Sequence, residues 1–239
     1  MQTARDIVQM GFSGVEINFG CPAKSARQAV SGASMIRTPQ LAREIVLAVQ
    51  DAVKSLNPEL LVSIKTRLGY ETNIADEWIP FLLRLHPDRL TIHGRTLRQG
   101  YTGQADWESI GRMVAYRDEI SPETLLFGNG DLQSRADALA HCRRYGLDGA
   151  LIGRAALGNP WLFCDYTPSL AERARVAVEH CELFEKLNAD RPKYSFAPMR
   201  KHLAGYIAHL PDVRRWRIPL MQATSSSEVA AILQPLLEK

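Results

Sequence analysis

Gly14-Val15-Glu16-Ile17-Asn18-Phe19-Gly20-Cys21-Pro22 is the stretch on which the fold turns. A short apolar run with strand character ends in Asn, Gly, Cys and Pro, which puts a thiol at the C-terminal end of a predicted strand. In an α/β barrel those strand ends form the rim of the active site. Cysteine is also often just a small buried hydrophobe, and this segment alone leaves both readings open.

Outward from it, the same design recurs. Apolar segments at Leu60 to Thr66, Arg89 to His93, Thr124 to Gly128 and Gly149 to Gly153 each precede a polar loop and, until the last, a helical pattern. Met1 to Met10 reads as a helix before the first strand. Thr38-Pro39 is a helix start with Pro at the first position, followed by Leu41, Ile45, Val49 and Val53 at helical spacing. Asp76 to His86 reads as another helix, Asp106 as the cap of one beginning at Trp107, and Ser134 as the cap of one running to Tyr145. Alternation at this pitch predicts parallel β-α units. From about Pro168 strand signals stop, and Ala171 to Leu187, Pro198 to His209 and Ser227 to Leu237 read as helices. The expected fold is therefore α/β: a partial TIM-type β/α barrel over residues 1–165, then a small all-helical domain over residues 166–239. A closed (β/α)₈ barrel has eight strands and only five are read here, so the chain is expected to start inside a barrel, with its N-terminal strands truncated.

Composition narrows the class. A chain of 239 residues, 46% hydrophobic and 23% charged, is an ordinary globular one with room for a proper core. No run is long enough to span a membrane, and the N-terminus lacks the build of a signal peptide. Cys21, Cys142, Cys164 and Cys181 show no paired spacing and no histidine cluster, which argues against a metal site or disulfide framework and for a reducing cytoplasmic setting. Charge is unevenly spread. Arg191, Lys193, Arg200, Lys201, Arg214, Arg215 and Arg217 face one acid, Asp212, a net +6 in a chain whose total is +3. Interleaved with Tyr194, Phe196, Tyr206 and Trp216, this segment suits either a phosphate-backbone contact or a solvated helix face.

The strand ends carry the chemistry. They run into Lys65-Thr66-Arg67-Leu68-Gly69, His93-Gly94-Arg95-Thr96, Gly128-Asn129-Gly130-Asp131 and Gly153-Arg154. Charge at a buried strand end is costly unless a partner or ligand meets it, so four such ends point to a binding site. Gly128 and Gly130 allow close backbone approach, and Arg154 offers a fork for phosphate in the loop where barrels commonly hold one.

These motifs, together with Asn18 to Lys24, Gln99-Gly100-Tyr101-Thr102-Gly103 and Gly153 to Trp161, resemble in order and spacing the tRNA-dihydrouridine synthases. The basic stretch Met199-Arg200-Lys201-His202 is similar to that family's RNA-binding domain. The resemblance implies an FMN enzyme that reduces the C5–C6 double bond of uridines in tRNA, with NADPH as reductant. It implies Cys21 as the acid that protonates C5, and Lys65, His93, Asn129, Gly130, Asp131, Gly153 and Arg154 as FMN ligands. Asn18, Arg67, Arg95 and Tyr101 would face the base, and Arg200 and Lys201 the tRNA. Without metal or membrane partners, a full-length chain is expected to be monomeric. The family's proline-methionine strand end, and a later one bearing glutamine, have no counterpart in this sequence.

Two rivals stand beside this reading. An FMN barrel acting on a free pyrimidine presents a similar Asn and Cys-Pro, but needs no basic helical tail. A truncated paralogue that only binds RNA would account for the missing strands, but not for the retained Cys21, Lys65, His93 and Arg154.

Overall fold

Every strand predicted from the sequence is present in the computed structural model, which describes residues 2–164, 166–208, 210 and 212–238. The strands are β1 (Gly14–Phe19), β2 (Leu61–Gly69), β3 (Arg89–Thr96), β4 (Leu125–Asn129) and β5 (Gly149–Leu151). They form one parallel sheet in the order β1-β2-β3-β4-β5. Chain order equals sheet order because each crossover returns through a helix. After α1 (Gln2–Gln9), a short α2 (Lys24–Gln28) and a 3₁₀ turn (Gly32–Arg37) come α3 (Pro39–Lys54), α4 (Ala75–Leu83), α5 (Trp107–Ile120) and α6 (Arg135–Tyr145).

Strand periodicity gives the sheet two unlike faces. Ile17, Phe19, Val62, Ile64, Leu90, Ile92 and Leu126 cluster with Val46 and Val53 of α3, Ile79 and Leu82 of α4, and Ile110 and Met113 of α5. Burying each such side chain contributes roughly 1.5–3 kcal/mol. The alternate positions are polar: Asn18 lies level with Lys65 and Thr91, and Arg67 with His93 and Asn129. The caps expected at two helices also form. Asp106 accepts from the Ser109 N–H and Ser134 from that of Asp137. Thr38 does not cap α3; its Oγ1 is buried without a partner.

Acidic residues tie the strand starts together. Asp88 accepts from the Val62 N–H at 2.6 Å and meets Lys54 at 3.3 Å. Asp148 accepts from the Leu126 N–H at 2.7 Å and from Arg117 Nη1 at 2.5 Å.

The chain divides into two compact units, Met1–Ile152 and Gly153–Lys239. The sequence reading draws its division at 165, a residue outside the described set; the structure assigns the loop bearing Gly153 and Arg154 to the C-terminal unit instead. That second unit holds α7 (Leu170–Asn188), α8 (Met199–Tyr206), α9 (Val213–Gln222) and α10 (Ser226–Leu237). The expected end of α8 at His209 also lies outside the described residues. Ser169 and Ser225 cap α7 and α10, accepting from the N–H groups of Glu172 and Glu228 three positions on. Ala177, Cys181, Met199, Leu203, Tyr206, Leu220, Val229 and Leu233 form a separate core. One backbone-to-backbone contact stands out there: a Cβ on Gly205 would collide with the Leu157 carbonyl, and one on Gly158 with that of His202.

Candidate active site

Near the end of β1, where Phe19 makes the last pair, the Asn18 side chain folds back on its own chain. Its Oδ1 accepts from the N–H groups of Gly20 and Cys21, both at 3.0 Å, an Asx turn that sets the direction of the Cys21 backbone. The Cys21 carbonyl accepts from Ala33 N–H at 3.1 Å. Gly32 makes that approach possible, for a Cβ there would lie 2.8 Å from the Cys21 oxygen, and its φ of +58° is left-handed. Sequence reasoning missed Gly32, since nothing in its neighbourhood names Cys21 as its partner. The thiol itself is half-buried and unpaired with another cysteine.

The neighbouring strand ends supply positive charge. Lys65 is half-buried, and burial first and Arg67 second push its pKa down, against Glu16. His93 is buried and driven down to about 3, chiefly by desolvation, then by Arg67, Lys65 and Arg95, with Asp131 opposing. Its imidazole is therefore neutral at ordinary pH. Arg67 and Arg95 are only 3% and 2% exposed, and loop carbonyls take up several of their donors. Arg67 donates through Nε to Gly20 O at 2.8 Å and through Nη1 to Thr96 O at 3.1 Å. Arg95 donates to Thr102 O at 3.2 Å, Gly103 O at 2.5 Å and the Asp131 carboxylate at 2.7 Å. A buried guanidinium has to satisfy its donors locally, and loop carbonyls do so here. Between β2 and β3 the register slips, two steps from Arg67 to Gly69 opposing three from His93 to Thr96. Such a bulge re-aims side chains at a strand end.

The loop after β3 is thereby held in place. Thr96 and Gln99 exchange hydrogen bonds, and Tyr101, between left-handed Gly100 and Gly103, is 62% exposed at its tip. At the end of β4, Asn129 Nδ2 donates to Leu151 O at 2.8 Å. Asp131 sits at φ +58° and also accepts from the Ala105 N–H at 2.8 Å. Its carboxylate thus holds the β3 loop. Gly128 is a packing glycine and not a ligand approach, because a Cβ there would run into the Trp107 ring. Gly130, at φ +135°, remains a position only glycine suits, since a Cβ there would lie 2.5 Å from that of Ala105.

In the second unit Gly153 and Arg154 are exposed, and a Cβ on Gly153 would meet nothing within 4 Å. Arg200 is half-buried with an unpartnered Nε, while Lys201, Arg191, Lys193, Arg214, Arg215 and Arg217 are exposed. Arg215 lies over the Trp216 ring at 5.3 Å. The last three arginines belong to α9, a helix that the sequence reading takes only as part of a basic segment.

The first unit's donor set suits an anionic, planar cofactor. Lys65, Arg67 and Arg95 crowd one strand-end cluster, Arg95 Nη1 is buried without an acceptor, and the neutral His93 adds a polar wall without further charge. Among the described residues no group of three or more His, Cys, Asp or Glu is placed to hold a metal ion, and no helix is long and apolar enough to cross a membrane.

A family model described as dihydrouridine synthase matches residues 1–239. A probable tRNA-dihydrouridine synthase of Staphylococcus aureus (strain MRSA252) is 32% identical over 236 residues, covering 97% of this chain and 70% of the relative. One from Staphylococcus epidermidis (strain ATCC 12228) is 34% identical over 233 residues, 95% of this chain and 68% of its own length. Probable tRNA-dihydrouridine synthase 2 of Bacillus subtilis (strain 168) is 31% identical over 238 residues, 98% and 70% respectively.

Proposed function

The chain belongs to the dihydrouridine synthase family, and from that premise we propose that it reduces uridine to 5,6-dihydrouridine in tRNA, using FMN and NADPH. The observation that carries this reading is the Cys21 loop, fixed by Asn18 and Ala33 beside a strand-end cluster rich in cations. FMN, when bound, supplies hydride to C6 of the base. Lys65 and His93 would hold its ring, with Asn129 and Gly130 serving the ribityl-phosphate; in the second unit, Gly153 and Arg154 offer a loop suited to a phosphate.

Cys21 carries the proton. A thiol Sγ–H can protonate C5 as negative charge develops on the base. Asn18 orients that thiol through its Oδ1 and presents its amide to the uracil edge. Tyr101, exposed at its loop tip, would stack on the base. The target nucleotide must leave its stack to reach the site, and the exposed arginines and lysines between Arg191 and Arg217 would grip the surrounding phosphates. Residues 166–239 are thus read as the tRNA-binding domain.

The test is dihydrouridine formation on unmodified tRNA by the protein with FMN and NADPH. Cys21→Ala is expected to slow tRNA reduction roughly 10²–10⁴-fold, while flavin reduction by NADPH continues. Turnover of free uracil but not tRNA, or an unaffected Cys21→Ala enzyme, would overturn the assignment.

A further inference from the structure

We propose that Arg67 is a positioning residue that couples the Cys21 loop to the Tyr101 loop, acting as a strap between them. This rests on the roles given above to Cys21 and Tyr101, although its test does not require turnover.

The geometry is specific. β2 lies between β1 and β3, so a side chain at its C-terminal end can reach both flanking loops. Arg67 does so with different nitrogens of one rigid group: Nε takes Gly20 O at 2.8 Å, the residue before Cys21, and Nη1 takes Thr96 O at 3.1 Å and lies 3.5 Å from Gly100 O, the residue before Tyr101. Each loop also has its own local ties, Asn18 and Ala33 on one side and Arg95 on the other. Arg67 bonds to both. Its fork cannot change one distance without changing the other, because the guanidinium is planar and its N–H directions are fixed. Burial lowers the Arg67 pKa, and the neighbouring Tyr101 and Cys21 oppose that fall, which places both functional side chains within its electrostatic reach.

A thiol that must meet C5 while an aromatic ring steadies the same base needs a fixed mutual placement. Misplacement of about 1 Å at a reacting group can cost on the order of 10²-fold in rate. The strap supplies that placement before substrate arrives.

The experiment compares Arg67→Lys with Arg95→Lys in the substrate-free, full chain. Lysine keeps the charge and loses the fork. Two rates are read: iodoacetamide modification of Cys21, resolved by peptide mass spectrometry, and chymotryptic cleavage at Tyr101. Arg67→Lys is expected to change both several-fold, whereas Arg95→Lys, at a residue that bonds to the Tyr101 loop and to Asp131 but not to the Cys21 loop, is expected to raise cleavage alone. Native values for both rates in Arg67→Lys would overturn the strap, as would equal disturbance of Cys21 by Arg95→Lys. Should Arg67→Lys not fold, the native chain gives the answer by NMR. The Arg67 Nε–H is expected to be protected from solvent exchange by Gly20 O, and a freely exchanging proton there would equally overturn it. In the working enzyme, Arg67→Lys is expected to lower kcat more than it raises KM for tRNA.

Discussion

The two ends of the one sheet handle charge in opposite ways. At the strand starts each cation finds a carboxylate and each carboxylate also caps a strand amide: Lys54 with Asp88, Arg117 with Asp148. At the strand finishes, Lys65, Arg67 and Arg95 gather around a neutral His93, and the carboxylate of Asp131 is already bonded to Arg95. The first end is electrostatically closed and serves stability. The second holds a surplus of positive charge that folding alone does not neutralise, which is the condition of a site waiting for an anion.

Three measurements can break or sharpen this contrast. Asp148→Ala has the largest expected effect on stability. It strips the acceptor from Leu126 N–H and Arg117 together, and since Asp148 is one-third exposed the loss should be about 2–3 kcal/mol, toward the lower side of the range for buried pairs. Urea denaturation would read it, and flavin affinity should hold. Weaker flavin binding with undiminished stability would break the contrast.

Acidification comes next. His93 titrates at about 3 when folded against 6.5 when free, so the unfolded chain binds the proton first. Its contribution is whole above 6.5 and is lost progressively as the pH falls from there towards 3. His93→Gln should flatten that part of the stability profile by about 1–3 kcal/mol. An unchanged slope would mean that neither burial nor the cation cluster acts on this histidine.

The smallest effect, and the most telling in sign, belongs to Lys65→Met. Removing a desolvated ammonium beside Arg67 should leave stability unchanged or raise it by up to about 1 kcal/mol. FMN affinity, read by flavin fluorescence, should fall. A clear loss of stability would show that the strand-finish end is closed after all.

The fold was legible because side-chain period is written in the sequence. All five strands lie within a few residues of their predicted positions, as do α3 to α7 and α10. The helix α9 escaped. Pro219 interrupts its pattern and the arginines dominate its surface, although Trp216 and Leu220, one turn apart, are its buried face. In the site, the residues were legible but their partners were not. Asn18, Lys65 and His93 stand at strand ends that periodicity alone locates. Arg67 and Arg95 bond chiefly to backbone carbonyls, which every residue carries, so no residue type in the sequence could announce Gly20, Thr96, Thr102 or Gly103 as acceptors. Asp131 is the exception that could have been guessed, an acid among bases, yet its N–H partner at Ala105 carries no such mark.

The crossing of Gly158 and Gly205 bears on how such a protein can change over time. Either glycine, on acquiring a methyl group, strikes main chain rather than a yielding side chain, and Gly158 also holds a φ of +65°. No single substitution is a small step at either position, and a compensating one at the other only removes atoms that are already absent. Variation that reaches the neighbouring basic helix must therefore travel around this pair, through Arg200, Lys201 and their exposed neighbours, where surface charge can drift while the crossing beneath stays as it is.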